Sequence, residues 1–393
     1  MKKQTSMRSL YLSMLIMSLP LGILGFVLPI YGHAIGANAF EIGLFFTAYS
    51  LMLVILRPLI GRSIDRLGRR PFLLIGLGGY AITMFLFAAA KGVPGLIAAR
   101  TLQGISSAFL GLAARSMIAD TSQQDTRAKA FGKLNQTSYQ GAMFGTLPGL
   151  FVLIYFGIKT GWTMLFIAFG LTGLAAFILA FLRLPETREK SQHFTQQPIQ
   201  WSSAWISLLL KTFITAASWA MISPIMMIYL QEKFSVKIHI LALAYLPSAI
   251  IWAALPSRLG KLSDRFGRKP LMVITMIAAA ASAFLFPHLN TLTGLALLWA
   301  FQALCFATGN PAEQALVADL TGGKQMGRDF GLYTAATGLG LAFGPLIGGW
   351  LYDQYSNQMP FYLNGSLLFL AAIILILLLK TPQNKIAATT NES

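Results

Sequence analysis

Gly61-Arg62-Ser63-Ile64-Asp65-Arg66-Leu67-Gly68-Arg69-Arg70-Pro71 decides how this chain is read, because it occurs twice. The second copy is Gly260-Lys261-Leu262-Ser263-Asp264-Arg265-Phe266-Gly267-Arg268-Lys269-Pro270, 199 residues further along a chain of 393. The same offset relates Gln103 to Gln302, Ala119-Asp120 to Ala318-Asp319 and Phe131-Gly132 to Phe330-Gly331. It also carries Gly141, Gly145 and Gly149 onto Gly340, Gly344 and Gly348. Several blocks in one register make the chain two copies of one unit.

Hydrophobic residues make up 55% of the chain and charged residues 11%, where a soluble domain carries about 25% charge. Lys269 and Glu313 enclose 43 residues without a formal charge, interrupted near the middle by Pro287-His288-Leu289-Asn290. A helix crosses a bilayer with about 20 apolar residues, so this interval holds two spans. The chain is an integral membrane protein. Its net charge of +17 would suggest nucleic acid in a soluble chain. With twelve spans and a cytoplasmic N-terminus, however, 25 of the 30 Lys and Arg fall in cytoplasmic segments and helix ends. Only Lys91, Lys159, Lys233 and Lys237 are external, and Arg100 lies within a span. The positive-inside rule accounts for the basicity, and no nucleic-acid partner is expected. The single Cys305 permits no internal disulfide and argues against a metal cluster. The first apolar run lacks a small-residue cleavage site and is read as a retained span.

Spans are expected near 9–31, 40–57, 71–90, 94–118, 131–156 and 161–182, then 204–230, 238–258, 270–288, 292–318, 329–352 and 360–380. The fold class is all-α integral membrane, with twelve transmembrane helices in two pseudo-symmetric six-helix bundles at 1–182 and 204–382. Residues 183–203 form a polar cytoplasmic linker and 383–393 a polar tail. An even number of spans puts both termini and the linker on the cytoplasmic side of the cell membrane. Each copy of the repeated loop must turn tightly between two spans, which its glycines permit.

Asp65 and Asp264 sit among cations, and the step from Asp65 to Asp120 repeats from Asp264 to Asp319. Asp65, Arg69 and Asp120, with Asp264, Arg268 and Asp319, are therefore candidate latches between helix ends. The plainer reading is a basic turn that sets topology. Arg100 lies within span 4, where a charge is usually turned toward a cavity or a partner. Glu313 is the one carboxylate well within a span, roughly 8 Å of helix from the cytoplasmic end of span 10. Arg115 on span 4 and Lys211 on span 7 lie at a similar depth. Glu313 is thus either a proton carrier or half of a structural ion pair. Span 1 has no acidic residue.

Gly61 to Pro71 resembles the loop 2–3 signature of the major facilitator superfamily, G-x-x-x-D-R-x-G-R-R/K, with its second copy in loop 8–9. Leu96-x-x-x-Arg100-x-x-Gln103-Gly104 resembles the span 4 motif of the superfamily's drug:proton antiporters. Ala119-Asp120-Thr121 with Arg127-Ala128 and Phe131-Gly132 is similar to the same stretch of its tetracycline exporters. The exporters' signature G-x8-G-x3-G-P-x2-G-G is complete in span 11, at Gly331, Gly340, Gly344-Pro345 and Gly348-Gly349. Span 5 keeps Gly132, Gly141, Gly145 and Gly149 but has Thr146 and Leu150 where the signature has Pro and its last Gly. Such glycines let helices approach closely, and a proline bends one.

The resemblance implies two bundles that rock about a central cavity in alternating access. It implies that the Asp65 cluster closes the cytoplasmic side through the positive N-terminal end of span 11. It also assigns Arg100 to proton transfer, with Gln103 beside it; Glu313 and Arg115 are further candidates for proton coupling by their depth in the spans, not by the resemblance. The cavity would be lined by spans 1, 4, 7 and 10, backed by 2, 5, 8 and 11. Its candidate residues are Gln103, Gln136, Tyr139, Gln140, Trp219, Tyr245, Gln302 and Asn310. Neutral amides with aromatics and Met suit an amphipathic organic solute.

The chain has no phosphate-cradling loop, no nucleophile–base pair and no His set at metal spacing. An enzyme is not expected, nor a cofactor, and an ion gradient is the expected energy source. The expected protein is a monomeric secondary transporter in the lipid bilayer, exporting small hydrophobic or amphipathic compounds against protons. The alternatives are a superfamily carrier for one metabolite, importing or exporting, or a membrane protein that does not transport.

Overall fold

The computed structural model describes residues 2–122, 127–187, 202–235, 238–255, 259, 265–321 and 326–378. Twelve long helices are described: α1 (Lys2–Ala34), α2 (Ala39–Leu67), α3 (Arg70–Ala89), α4 (Val93–Thr121), α5 (Arg127–Phe156) and α6 (Ile158–Arg183), followed by α7 (Ser203–Phe234), α8 (Ile238–Ala254), α9 (Arg268–Leu285), α10 (Leu292–Thr321), α11 (Met326–Gln354) and α12 (Met359–Leu378). Eleven of them are long and apolar enough to cross a membrane, and the apolar part of α8 is shorter, Ile240–Trp252. In hydrocarbon a helix is favoured because it satisfies its own amides and carbonyls. The same environment tolerates proline inside helices, as at Pro20, Pro29, Pro58, Pro148, Pro224, Pro247, Pro311 and Pro345.

The repeated loop is shorter than the sequence suggests. Helix α2 runs through Gly61 and Asp65 to Leu67, and α3 begins at Arg70. Only Gly68 and Arg69 are left to reverse the chain. Gly68 has φ +99°, and its counterpart Gly267 has φ +84°, a left-handed region that L side chains rarely enter. The turn therefore depends on Gly68 and Gly267, while Gly61 is a helical residue.

The chain divides into two compact units. The first comprises Met1–Gln196, Trp219–Ala242 and Gly338–Pro360; the second comprises Gln197–Ser218, Leu243–Thr337 and Phe361–Ser393. In the first, α1 packs on α5 and α6, α4 on α2 and α3, and α3 on α6. The α1–α5 seam is close. A Cβ at Gly141 would fall on the carbonyl of Leu15, and one at Gly145 on that of Leu19. Tyr31 stacks on Trp162 at 4.1 Å, and the Trp162 indole donates to the carbonyl of Phe87 at 2.9 Å. That ring set joins α1, α3 and α6.

In the second unit, α9 packs on α10, repeating α3 on α4. One apolar core gathers Trp205 and Leu208 of α7, Met272 and Met276 of α9, Leu316 of α10, and Ala371 and Leu375 of α12. These four helices are the copies of α1, α3, α4 and α6. Asn364 on α12 donates to the carbonyl and hydroxyl of Ser218 on α7, at 2.8 and 2.9 Å.

Candidate functional site

At the α2–α3 turn, Arg69 is buried and its Nε donates to Asp120 Oδ2 at 2.9 Å, while Nη1 donates to the carbonyl of Ile64 at 3.0 Å. The guanidinium thus closes the last turn of α2 and ties it to the end of α4. Asp120 also accepts from Thr187 Oγ1 at 3.2 Å. Glu186 completes the arrangement. Its two carboxylate oxygens accept from the amides of Arg69 and Arg70, at 2.8 and 3.0 Å. An anion at the first amides of α3 meets both the free N–H groups and the positive end of the helix.

The side chains of Asp65, Asp264 and Asp319 lie outside the described residues, and Arg268 is the first residue of α9. Of the six latch candidates, the structure therefore brings together Arg69 and Asp120. Glu186 escaped the sequence reading because it stands in the linker, 117 residues from Arg69. Its one visible signal was an acidic residue directly after a helix-ending Pro185.

Arg100 on α4 is buried, and its partners are neutral. Nε donates to the carbonyl of Phe45 at 3.1 Å and Nη1 to Gln103 Oε1 at 2.8 Å. The guanidinium also lies over the rings of Phe46 and Tyr49, at 4.7 and 4.8 Å from their centroids. Two ring faces and two oxygens replace much of the hydration that a cation loses on burial. Gln103 gives its Nε2 to Tyr80 OH at 3.2 Å and is fully enclosed. Both ends of that amide are engaged among α2, α3 and α4, so Gln103 is a structural neighbour of Arg100 and does not line an open surface. Arg115, further along α4, is exposed.

In the second unit Glu313 is 5% exposed and Lys211 is 4% exposed. Lys211 Nζ contacts Glu313 Oε2 at 2.5 Å, and Thr212 Oγ1 donates to Glu313 Oε1 at 2.5 Å. Of the two cations considered for Glu313, Lys211 forms the pair. Neither charge is stable alone in such a place, so pairing and full hydrogen bonding are required. Beside the pair lies a cavity of about 30 Å³ bounded by Thr215, Thr275, Cys305, Asn310 and Met276. That is room for about one or two water molecules.

The other cavity candidates divide by exposure. Gln136, Tyr139 and Gln140 stand on the exposed face of α5, and Trp219 is exposed on α7. Tyr245 packs against Trp299, with ring centroids 5.0 Å apart. Gln302 is buried, and Asn310 borders the Glu313 cavity. Among the repeated glycines, Gly132 is open to its surroundings. Gly149 packs on Ile23 of α1, and Gly348 on the carbonyl of Met221. Gly340, Gly344 and Pro345 are buried in α11, and the carbonyl of Pro345 meets Gly43 of α2.

The family model of the Major Facilitator Superfamily matches residues 10–258 and again residues 208–392. The chain belongs to the major facilitator superfamily. It is a multi-pass membrane transporter of small molecules. Among curated superfamily members it is 25% identical over 395 residues to multidrug resistance protein 1 of Bacillus subtilis (strain 168), covering 99% of this chain and 100% of that one. It is 23% identical to the quinolone resistance protein NorA of Staphylococcus aureus (strain COL), covering 96% and 97%. Among solved superfamily structures, a point mutant of the nucleoside transporter NupG superposes with a TM-score of 0.75 at 15% identity, over 97% of this chain and 100% of that one. At that identity the likeness carries the fold alone.

Proposed function

We propose that this superfamily member is a proton-driven exporter of small hydrophobic or amphipathic compounds, built as six-helix bundles at 1–182 and 204–382. The observation that carries the reading is the Lys211–Thr212–Glu313 cluster: an enclosed carboxylate whose charge is balanced within the bundle, beside a small cavity. Protonation of Glu313 would release Lys211, so one proton changes the contact between α7 and α10. A coupling site needs that property, because an ion must favour one arrangement of the helices over another. The names of the relatives, multidrug resistance and quinolone resistance proteins, support organic compounds as substrates and export as the direction.

Arg100 contributes a fixed positive charge within α4, and the amides and aromatics on exposed faces, Gln136, Tyr139, Gln140 and Trp219, offer contacts to an amphipathic solute. Arg69 and Asp120, with Asp65, latch the basic end of α2, α3 and α4 on the cytoplasmic side; Asp264, Arg268 and Asp319 do the same in the second half. The protein resides in the cell membrane as a monomer with both termini cytoplasmic, and works without a cofactor.

A susceptibility panel comparing cells with and without the chain tests this reading. Raised tolerance to several amphipathic compounds, lost in Glu313→Gln at equal expression, is expected. Equal tolerance throughout the panel, with the chain present in the membrane, would count against export.

A further inference from the structure

At the opposite end from the α2–α3 turn, α2 begins with a cap that its own sequence only half completes. The first four amides of a helix have no partner within it. Asn38 and Glu41 form a reciprocal pair there: Glu41 N donates to Asn38 Oδ1 at 2.8 Å, and Asn38 N donates to Glu41 Oε2 at 2.9 Å. The two amides between them are taken by a carboxylate from another helix. Ala39 N donates to Asp353 Oδ1 at 3.2 Å and Phe40 N to Asp353 Oδ2 at 2.7 Å. Asp353 stands in the last turn of α11, 314 residues from Ala39.

The joint extends along both helices. Thr47 Oγ1 donates to the carbonyl of Ala342 at 2.6 Å. Gly43 lies on the carbonyl of Pro345 and Gly349 on that of Ala39, with no room for a Cβ at either. Next to Asp353, Tyr352 OH donates to Glu232 Oε2 at 2.5 Å, which brings in the end of α7. Asp353, Tyr352 and Glu232 border a recess of about 260 Å³ that also includes His33 and Asn38. All of these residues belong to the first compact unit.

We propose that Asp353 is the latch of the outer gate. It holds the start of α2 by charge and two hydrogen bonds, and Glu232 with Tyr352 ties α7 into the same joint. The inference rests on the topology proposed above, which makes these helix ends external. A transporter that alternates must part such ends to release its solute outward. Parting α2 from α11 leaves Ala39 N, Phe40 N and the Asp353 carboxylate to water. That exchange is nearly balanced, so the joint can open and close repeatedly. The negative charge at the positive end of α2 tips the balance toward closure. This device is separate from the Arg69–Asp120 cluster, which lies at the other end of α2.

The test uses Thr47→Cys in a Cys305→Ser background, labelled by a membrane-impermeant maleimide in right-side-out vesicles without substrate or gradient. Adding Asp353→Asn should raise the labelling rate about fivefold, the scale of one charge at a helix terminus. Asp353→Glu, which keeps the charge, should stay near the reference rate. Should Asp353→Asn not reach the membrane, Glu232→Gln serves with the same readout. An unchanged rate in these neutral variants would overturn the latch. Labelling that rises only in inverted vesicles would overturn the outer placement, and transport plays no part in either result.

Discussion

Glu313 and Lys211 show how one side chain sets the terms for another. Enclosed together they are neutral as a pair, and Thr212 fills the second carboxylate oxygen. Removing one partner leaves a buried charge uncompensated, at a cost of about 3–5 kcal/mol. Glu313→Gln alone should therefore lower the unfolding temperature of the detergent-solubilised protein and remove the pH dependence of transport. The double variant Lys211→Met with Glu313→Gln should recover most of the stability and none of the pH response. Recovery of both, or normal pH dependence in the single variant, would make the pair purely structural. Arg100 solves the same problem differently, with oxygens and ring faces around a lone cation. The depth of all three residues was legible from their place in apolar runs. The choice of Lys211 as partner was not, because it depends on how α7 and α10 are rotated, which hydropathy does not report.

Helices in this protein meet where side chains are absent. Gly141 and Gly145 of α5 lie on the carbonyls of Leu15 and Leu19 in α1, and the contact is backbone, which cannot swing aside. Gly145→Leu should lower membrane yield and unfolding stability, at the scale of about 1–3 kcal/mol for an overfilled interface. Gly132→Leu, at a position with nothing nearby, should leave both close to the parent; thermal unfolding of the two purified variants checks the difference. The repeated glycine spacing made these positions visible in the sequence. The partners of the helix caps were not visible: Glu186 serves α3 and Asp353 serves α2 across separations of 116 and 313 residues. A carboxylate that caps a helix from afar carries no local pattern. The repeated loop also misled on its turn, since spacing cannot separate a helical Gly61 from Gly68 at φ +99°.

At the scale of the whole molecule, duplication governs. The offset of 199 residues that carries Asp65 onto Asp264 also carries the α3–α4 contact onto α9–α10 and the core helices α1, α3, α4 and α6 onto α7, α9, α10 and α12. Each half supplies its own charged cluster within the membrane, a guanidinium in one and an ion pair in the other. A chain so divided is suited to moving a solute between two faces without changing it chemically, driven by an ion gradient. The most direct measurement is uptake of a fluorescent amphipathic cation by proteoliposomes of the purified chain, oriented as inverted vesicles with an acid interior. The account predicts accumulation that stops when a protonophore removes the gradient and that is absent with Glu313→Gln. Accumulation indifferent to the gradient, or none with any compound to which the chain confers tolerance, would contradict it.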